Sequence, residues 1–337
     1  MSQQGLEAAR RKMTEARVVP SAIEVFSHYY QLLESGETGL IREESIDPLL
    51  DPPMLDDVEV SDNEAREAIG ATVMIKLNGG LGTSMGLDRA KNLLEVRDGL
   101  NFLDLIVQQV RAVRRDWDAP LPLLFMNSFR TETDTLAHLE RYPDLPVDDL
   151  PLSFLQSQEP KLRADDLTPV EWPEDPSLEW CPPGHGDLYT ALWGHNLLQR
   201  LIEKGFRYAC ISNGDNLGAA PNARLAGWFA ASGAPYAAEL CRRTINDRKG
   251  GHLAIRKRDG QLILRDTAQT APEEMDYFTD EHRHPFFHTN NLWFDLQRLF
   301  DTIRERDAVL GLPMIRNEKT VDPADPGSPK VIQVETA

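Results

Sequence analysis

The order of apolar and polar positions along the chain predicts an α/β fold. Three short apolar runs, residues 71–77, 121–128 and 206–215, are typical of strands buried on both faces of a parallel sheet. Apolar residues at helical spacing predict helices that lie between and after these runs, over 101–115, 187–201 and 222–232. Because strands that alternate with helices need crossover connections, we expect a mixed, mostly parallel sheet flanked by helices. Residues 235–265 have the alternation of further strands.

A helical arm is predicted at the N-terminus. Apolar residues at helical spacing run from Ile23 to Leu33, and Ser21 with Glu24 has the pattern of a capping box. The acidic, proline-bearing stretch "DPLLDPPMLDDVEVSD" follows and favours a boundary near residue 60. We therefore expect a helical arm over 1–60 and a main domain over 61–337.

Charge and cysteine content narrow the function. A net charge of −18 over 337 residues argues against nucleic acids and anionic membranes as partners, and it leaves anionic small molecules possible. Cys181, Cys210 and Cys241 are odd in number and in no metal spacing, which is typical of reduced thiols. The first residues carry charges where a signal peptide has its apolar core. We expect a cytoplasmic protein.

A glycine-rich segment, "KLNGGLGTSMGLDRAKNLLEV", follows the first predicted strand. It does not match the P-loop pattern, and it misses the dinucleotide-binding pattern by one residue because Gly86 follows Gly80 and Gly82 at the wrong spacing. A loop of this kind leaves backbone N–H groups free to face an anion, and Lys91 would lie alongside. The alternative is a glycine-rich turn with a surface lysine.

The segment "CPPGHGDLYTAL" is a second candidate for ligand binding. Gly184 and Gly186 would let the backbone approach a ligand, and His185 between them could donate to a phosphate oxygen. The alternative is a capped helix start, in which Asp187 is the capping residue. His195 falls on the same helix face as the apolar residues and is predicted to be packed.

The third candidate is "ACISNGDNLGA", where an apolar strand ends in polar residues. Asp215 would lie at the carboxyl edge of the sheet, where ligands of open α/β folds bind, and one carboxylate with substrate phosphates is a normal Mg²⁺ arrangement. The alternative is an Asx turn at a strand end. Further along, the amides of "FFHTNNLWF" suit sugar hydroxyls, because they both donate and accept hydrogen bonds. A metal site built from His282, His284 and His288 is a weaker hypothesis.

Six ordered motifs carry a resemblance to a known family. "KLNGGLGTSMGLDRAKNLLEV", "PPGHGDLYTAL", "SNGDNLGA", "KGGHLA", "TNNLW" and "IRNEKTVDP" occur in the order found in the long-chain UDP-glucose pyrophosphorylases, or UTP–glucose-1-phosphate uridylyltransferases. The resemblance implies a GT-A-like, Rossmann-like nucleotidyltransferase fold. It also implies the reaction of UTP with glucose 1-phosphate to give UDP-glucose and pyrophosphate, with Mg²⁺.

The resemblance also implies roles for individual residues. Lys91 would be catalytic, and Asp215 would bind the metal. The implied nucleotide-binding residues are Leu77, Asn78, Gly79, Gly80, Gln158 and Gly184, with Gln158 recognising uracil. The implied sugar- or phosphate-binding residues are His185, Asn213, Gly214, Gly251 and Asn290.

Two departures from the family pattern leave alternatives open. His288 stands where relatives have asparagine, and the chain stops at "VIQVETA", where the family continues with a second lysine and a β-helix domain. We therefore also consider a UDP-sugar pyrophosphorylase of broader sugar range and a UDP-sugar-binding protein of low activity. A nicotinamide dehydrogenase is disfavoured, since Glu95 lies too close to the glycine loop for the usual ribose-binding acid.

Overall fold

A computed structural model of the chain describes residues 2–81, 90–247 and 250–336. The α-helices are α1 (Ser2–Glu15), α2 (Pro20–Glu34), α3 (Asp62–Gly70), α4 (Phe102–Trp117), α5 (Glu132–Leu139), α6 (Asp187–Gly194), α7 (Leu197–Glu203), α8 (Ala223–Ser232), α9 (Met275–Phe278) and α10 (Leu296–Glu305). Short 3₁₀ helices span Glu43–Ser45, Leu55–Asp57, Lys91–Leu93, Pro176–Glu179, Thr267–Gln269 and Pro272–Glu274. The strands are β1 (Ile46–Pro48), β2 (Thr72–Asn78), β3 (Glu95–Arg97), β4 (Leu100–Asn101), β5 (Leu123–Asn127), β6 (Ser153–Leu155), β7 (Glu159–Pro160), β8 (Leu162–Arg163), β9 (Trp180–Cys181), β10 (Tyr208–Asn213), β11 (Tyr236–Arg242), β12 (His252–Arg256), β13 (Leu262–Arg265), β14 (Phe286–Asp295), β15 (Met314–Thr320) and β16 (Lys330–Thr336).

The main sheet is mixed, and its two halves differ in strand direction. Its order is β1-β12-β14-β10-β2-β5-β6, with β11 paired to β14 and β13 paired to β12. β10, β2, β5 and β6 run parallel to one another, as the three apolar runs predict. β14 runs antiparallel to β10, β11 and β12. The predicted α/β class is confirmed, and the strands after residue 235 supply the antiparallel half.

Helices cover both faces of this sheet. One core contains residues of α3, α4 and α8, such as Ile69, Val107 and Phe229. The core on the other face contains residues of α6, α7 and α10, such as Leu192 and Leu201. Because β2 and β5 are buried on both faces, their sequences are mostly apolar and do not alternate; the polar residues are Thr72, Lys76 and Asn78 of β2 and Asn127 of β5.

The predicted N-terminal helices form, but α2 begins differently from the prediction. Pro20 occupies the first position of α2, and Val19 precedes it without a side-chain cap, so the capping box at Ser21 is wrong. Proline suits this position because its missing N–H would be unpaired there in any helix. β1 lies within the predicted arm and pairs with β12 of the main sheet, and a boundary at residue 60 stays a prediction.

The helix predicted over 187–201 is broken in two. Asn196 has a φ of 55°, which ends α6 and starts α7 in a new direction. His195 at this break is exposed, and its Nε2 lies 3.0 Å from the carbonyl oxygen of Leu155, so the predicted packing is wrong. Across the described ranges, no helix combines the length and the apolar composition needed to cross a membrane.

Candidate active site

The parallel strands β2 and β10 bring two of the predicted motifs together. Leu77 and Asn213 are partners in the register, so both chains leave the sheet at the same edge. The N–H of Gly214 donates to the carbonyl oxygen of Leu77 at 2.8 Å and continues this pairing. The start of the glycine loop and the loop that carries Asp215 therefore lie side by side.

The side chain of Asn78 holds the glycine loop from below. Its Nδ2 donates to Asn127 Oδ1 at 2.6 Å and to Thr135 Oγ1 at 2.8 Å, and it is buried. The hydroxyl of Ser128 donates to the carbonyl oxygen of Gly79 at 3.0 Å. Because the Asn78 side chain is bound within the protein, the loop faces the cavity at this edge of the sheet with its backbone. The loop's continuation over 82–89 lies outside the described residues.

Lys91 and Asp215 form an ion pair above this edge. The side chains are 40% and 32% exposed, so both remain open to a ligand. The backbone N–H of Lys91 donates to the carbonyl oxygen of Gly80 at 3.2 Å, which ties the lysine to the glycine loop. In the part of the chain that the structure describes, no three His, Cys, Asp or Glu side chains cluster as a metal site would need. A cation at Asp215 would therefore take further oxygen ligands from phosphates and water, as Mg²⁺ commonly does.

Gly214 and Asn92 pack against each other below the ion pair. A Cβ at Gly214 would collide with the side-chain amide nitrogen of Asn92, so the close approach requires glycine. Asn92 is buried and lines the cavity, and its Nδ2 has no hydrogen-bond partner among the residues described. Asn92 is not among the residues predicted from the sequence to bind a ligand, because no sequence pattern distinguishes it from other polar residues in helices.

The opposite wall is formed by Gly184, His185 and the last strand. Gly184 has a φ of +88° and bridges to Thr336, whose carbonyl oxygen would lie 2.7 Å from a Cβ at Gly184. Only glycine fits this combination of backbone conformation and close approach. Glu335 and Thr336 line the cavity as well. Sequence patterns gave no signal for them, because their place depends on how β16 returns to the site.

Asp187 does not cap α6, contrary to prediction. Gly186 is the N-cap residue, and the buried carboxylate of Asp187 instead accepts a hydrogen bond from the N–H of Ser157 at 2.6 Å. Burial raises the pKa of Asp187 to about 6. The bond joins the start of α6 to the turn after β6, so both keep their place around the cavity.

The glutamine in the cavity is Gln156 and not Gln158. The N–H of Gln156 donates to the carbonyl oxygen of Asn127 at 2.8 Å, which extends the β5–β6 pairing, and its side chain lies over Gly79. The chain then turns, and Gln158 faces a separate small cavity beside Phe26 and Tyr29 of α2. The expected place of Gln158 beside the glycine loop is therefore wrong: the repeated "QSQ" offers two glutamines, and only the turn geometry separates them.

We call the space enclosed by these residues the first cavity. Its volume is about 410 Å³. The predicted residues that line it are Leu77, Asn78, Gly79, Gly80, Lys91, Gly184, His185, Asn213 and Asp215. Gly214 lies buried beneath it.

The second cavity, of about 760 Å³, adjoins the first at His185. The remaining predicted residues, Gly251 and Asn290, line it. β14 bulges here, since Asn291 and His288 face consecutive residues of β11 and leave Thr289 and Asn290 out of the register. Asn290 adopts a φ of 58°, and its Nδ2 donates to Asn213 Oδ1 at 2.9 Å. The bulge thus connects the second cavity to the end of β10 in the first.

His288 is a neutral member of the second cavity. Its backbone N–H donates to the carbonyl oxygen of Gly251 at 2.8 Å, and its Nδ1 accepts from the N–H of Asn290 at 3.3 Å. Burial, together with nearby His185, lowers the pKa of His288 to about 4. Since Nδ1 accepts, the proton of the neutral ring lies on Nε2.

The three-histidine metal hypothesis finds no support in this geometry. His284 is buried against Glu43, with its Nε2 at 3.1 Å from Oε1, and its ring stacks on His252 at 3.7 Å between centroids. His282 is exposed, whereas His288 lines the second cavity. The three rings serve different parts of the fold.

Comparisons with known proteins, by sequence and by fold, point to one family. The sequence model of the UTP–glucose-1-phosphate uridylyltransferase family matches residues 23–337. The chain belongs to this family. Within the family, it is 38% identical to the UTP–glucose-1-phosphate uridylyltransferase of Solanum tuberosum over 81% of this chain. It is 40% identical to the enzyme of the same name from Saccharomyces cerevisiae over 78% of this chain.

Solved structures of the family share the fold. A mutant UDP-glucose pyrophosphorylase of Leishmania major has a TM-score of 0.91 and 43% identity over 99% of this chain and 72% of its own. Another mutant of that enzyme, solved in complex with UDP-glucose, also has a TM-score of 0.91. The chain spans about half the length of the curated relatives, namely 55% of the Solanum and 52% of the Saccharomyces enzyme.

Proposed function

We propose that this protein transfers a uridylyl group, making UDP-glucose and pyrophosphate from UTP and glucose 1-phosphate. The observation that carries the proposal is the Lys91–Asp215 ion pair beside the glycine loop, at the shared edge of β2 and β10. It puts one cation and one carboxylate next to the backbone of Gly79 and Gly80, in a chain that belongs to the uridylyltransferase family. Its ligands would be UTP, glucose 1-phosphate and their two products.

The first cavity suits the nucleotide. Gln156 lies over Gly79, and its amide can accept from N3–H of uracil and donate to O4. Cytosine lacks N3–H and carries an amino group in place of O4, so one fixed amide cannot satisfy both bases. The backbone of Gly79 and Gly80 faces the same cavity and would contact the nucleotide.

Asp215 is the residue that would hold Mg²⁺. A single carboxylate fits this ion when phosphate oxygens and water complete its shell. When bound, Mg²⁺ would neutralise charge on the phosphates. Lys91 is already in contact with Asp215, so its ammonium reaches the point where metal and phosphates would meet.

Lys91 would supply the main catalytic effect of this chain. In the reaction, a phosphate oxygen of glucose 1-phosphate attacks the α-phosphate of UTP, the bond to pyrophosphate breaks, and no covalent enzyme intermediate is needed. Two anions must approach each other in line, and a fixed cation between them lowers the barrier through electrostatics and positioning. The tie of Lys91 to Gly80 keeps the cation in place.

The second cavity offers a sugar the neutral polar groups of Asn290 and His288. Charged side chains also line it, namely Arg256, Arg258, Asp266, Arg298 and Arg306. Asn290 can donate and accept, and the neutral ring of His288 can donate from Nε2. His185 borders both cavities, where a sugar and its phosphate would join. We also infer a cytoplasmic location, supported by the three free thiols.

Pyrophosphate release tests the proposal. The protein is incubated with Mg²⁺, UTP and each of glucose, galactose, xylose and N-acetylglucosamine 1-phosphate. We expect release with glucose 1-phosphate, and release with UTP more than about tenfold faster than with CTP. Equal rates with all sugars would indicate a broad-range UDP-sugar pyrophosphorylase. Binding of UDP-glucose without release from any sugar phosphate would contradict the transferase proposal.

A further inference from the structure

Lys76, the lysine at the other end of the glycine segment, is buried in the centre of the sheet. It lies in β2 between Ser212 of β10 and Phe125 of β5 in the register, and it has no exposed surface. Because alternate residues of a strand face opposite sides, Lys76 points to the same face as Met74. Nothing in the proposed reaction so far uses this side chain.

The partners of Lys76 are neutral. Its Nζ donates to the hydroxyl of Ser212 at 2.6 Å and to the carbonyl oxygen of Ala219 at 2.9 Å. Among the residues described, no carboxylate lies within ion-pair distance of this Nζ. A buried ammonium without a direct counter-ion is costly, so a chain that keeps one here needs a compensating role.

The two partners of Lys76 flank Asp215. Ser212 lies three residues before Asp215 and Ala219 four residues after it, so one ammonium bridges both ends of the loop. Gln109 holds the middle of this loop, because its Nε2 donates to the carbonyl oxygen of Leu217 at 2.8 Å. The loop that carries the carboxylate is therefore fixed from beneath.

The charge of Lys76 also matters to the first cavity. The acidic side chains that line this cavity are Asp215 and Glu335, and in the described ranges Lys91 is its lining lysine. A triphosphate would add several negative charges to this space. Burial lowers the pKa of Lys76 to about 8, with Cys210, Glu239 and Asp215 acting in the opposite direction, so the side chain is mostly protonated at neutral pH. It is a second cation, held under the site.

We propose that Lys76 is a positioning residue, whose buried ammonium holds the Asp215 loop in its metal-binding position and favours phosphates above it. This inference rests on the proposed function only in assigning Mg²⁺ and UTP to the first cavity. It assigns Lys76 an effect on phosphate and metal binding, and none on the uracil or the sugar.

Calorimetric titration of the full chain tests this role. Lys76→Met keeps the length of the side chain and removes its charge. Lys161→Met is the matched control, because Lys161 is also buried and donates to a backbone carbonyl, that of Val321 at 2.9 Å, away from both cavities. We expect Lys76→Met to weaken Mg²⁺–UTP binding about tenfold and to raise the half-saturating Mg²⁺ concentration. Uridine binding should change less than about twofold.

A purely structural role would give a different pattern. If Lys76→Met and Lys161→Met changed Mg²⁺–UTP binding equally, or if uridine weakened as much as UTP, the inference would be overturned. If Lys76→Met failed to fold, Ser212→Ala would decide, since it removes one partner of Nζ and keeps the charge. That variant should raise the half-saturating Mg²⁺ concentration by about threefold, and no change would overturn the proposal. Wild-type protein that binds Mg²⁺–UTP without turnover would count against the transferase and leave this test intact.

Discussion

The two cavities are built from opposite kinds of structure. The first lies at the ends of parallel strands, where the backbone of the glycine loop and a charged pair, Lys91 and Asp215, face the ligand space. The second lies beside an antiparallel strand whose bulge presents Asn290 and His288, both neutral. We infer from this difference a division of labour in which phosphate charge is handled beside Lys91 and Asp215, and sugar hydroxyl groups are recognised beside Asn290 and His288.

The two cavities adjoin at His185. Asn290 donates to Asn213 across the boundary. Asp187 supports the boundary from within, because it holds the start of α6 to the turn that carries Gln156. Substitutions on either side should therefore separate the effects on turnover, nucleotide choice and sugar affinity.

The largest expected effect concerns the charge of the first cavity. Lys91→Ala should lower turnover by on the order of 10²-fold or more with the fold intact, because it removes charge stabilisation in the transition state. Pyrophosphate release and thermal unfolding measure the two effects. Lys204→Ala is the control, since Lys204, which directly follows α7, also forms an ion pair, with Asp149, but lines neither cavity. A Lys91→Ala protein as active as this control would make Lys91 an ordinary surface lysine.

The second largest effect is expected for the KM for glucose 1-phosphate, after a substitution in the second cavity. Asn290→Gly removes the amide and tolerates the positive φ, so the bulge can keep its shape. We expect the KM for glucose 1-phosphate to rise about tenfold, with less than about a twofold change in the KM for UTP. If both constants rose together, the cavities would act as one site and the division of labour would be wrong.

We expect the preference for UTP over CTP to depend on Gln156 and not on Gln158. Gln156→Ala should reduce the preference for UTP over CTP to less than about threefold, because the amide that distinguishes the two bases is lost. Gln158→Ala is the matched control from the same turn and should leave the preference unchanged. Rates with UTP and CTP at equal concentration measure it, and the reverse result would restore uracil recognition to Gln158.

The smallest expected effect concerns Asp187, at the boundary between the two cavities, and its contribution to the free energy of unfolding. Folded Asp187 has a pKa of about 6, whereas an unfolded aspartate releases its proton near pH 3.9. Between these values the folded state binds more protons, so this residue lowers the free energy of unfolding as pH rises from about 4 through 6. Asp187→Asn should therefore be more stable than wild type by roughly 2 kcal/mol at pH 7.5 and equal to it near pH 4.

Denaturant unfolding at the two pH values tests this, with Asp276→Asn as a control at an exposed position. Equal stability of the Asp187→Asn and wild-type proteins at both pH values would mean that the buried carboxylate carries no such penalty.

Local patterns were enough to predict three of the four parallel strands, all but β6. The runs that became β2, β5 and β10 are short, apolar and bounded by turn residues, so their burial could be inferred from neighbours in sequence. The motifs at their carboxyl ends then located Lys91, Asp215 and the glycine backbone at one edge. Family resemblance identified the chemistry, which spacing alone left open between phosphate loops and turns.

The features that local patterns did not predict depend mainly on contacts between residues far apart in the sequence. Nothing in "QSQ" indicates which glutamine faces the cavity, since that is set by the pairing of β6 with β5 and the turn that follows. The break at Asn196 depends on a left-handed residue that helical periodicity does not detect. Asp187 looked like a helix cap because its partner, Ser157, is 30 residues away.

The most direct test of the division of labour compares UDP-glucose with UDP in one calorimetric series. The affinity ratio of the two ligands reports what the glucose gains in the second cavity. We predict that wild type binds UDP-glucose more tightly than UDP, that Lys91→Ala keeps this ratio, and that Asn290→Gly brings it close to one. A ratio lost in Lys91→Ala and kept in Asn290→Gly would contradict the account.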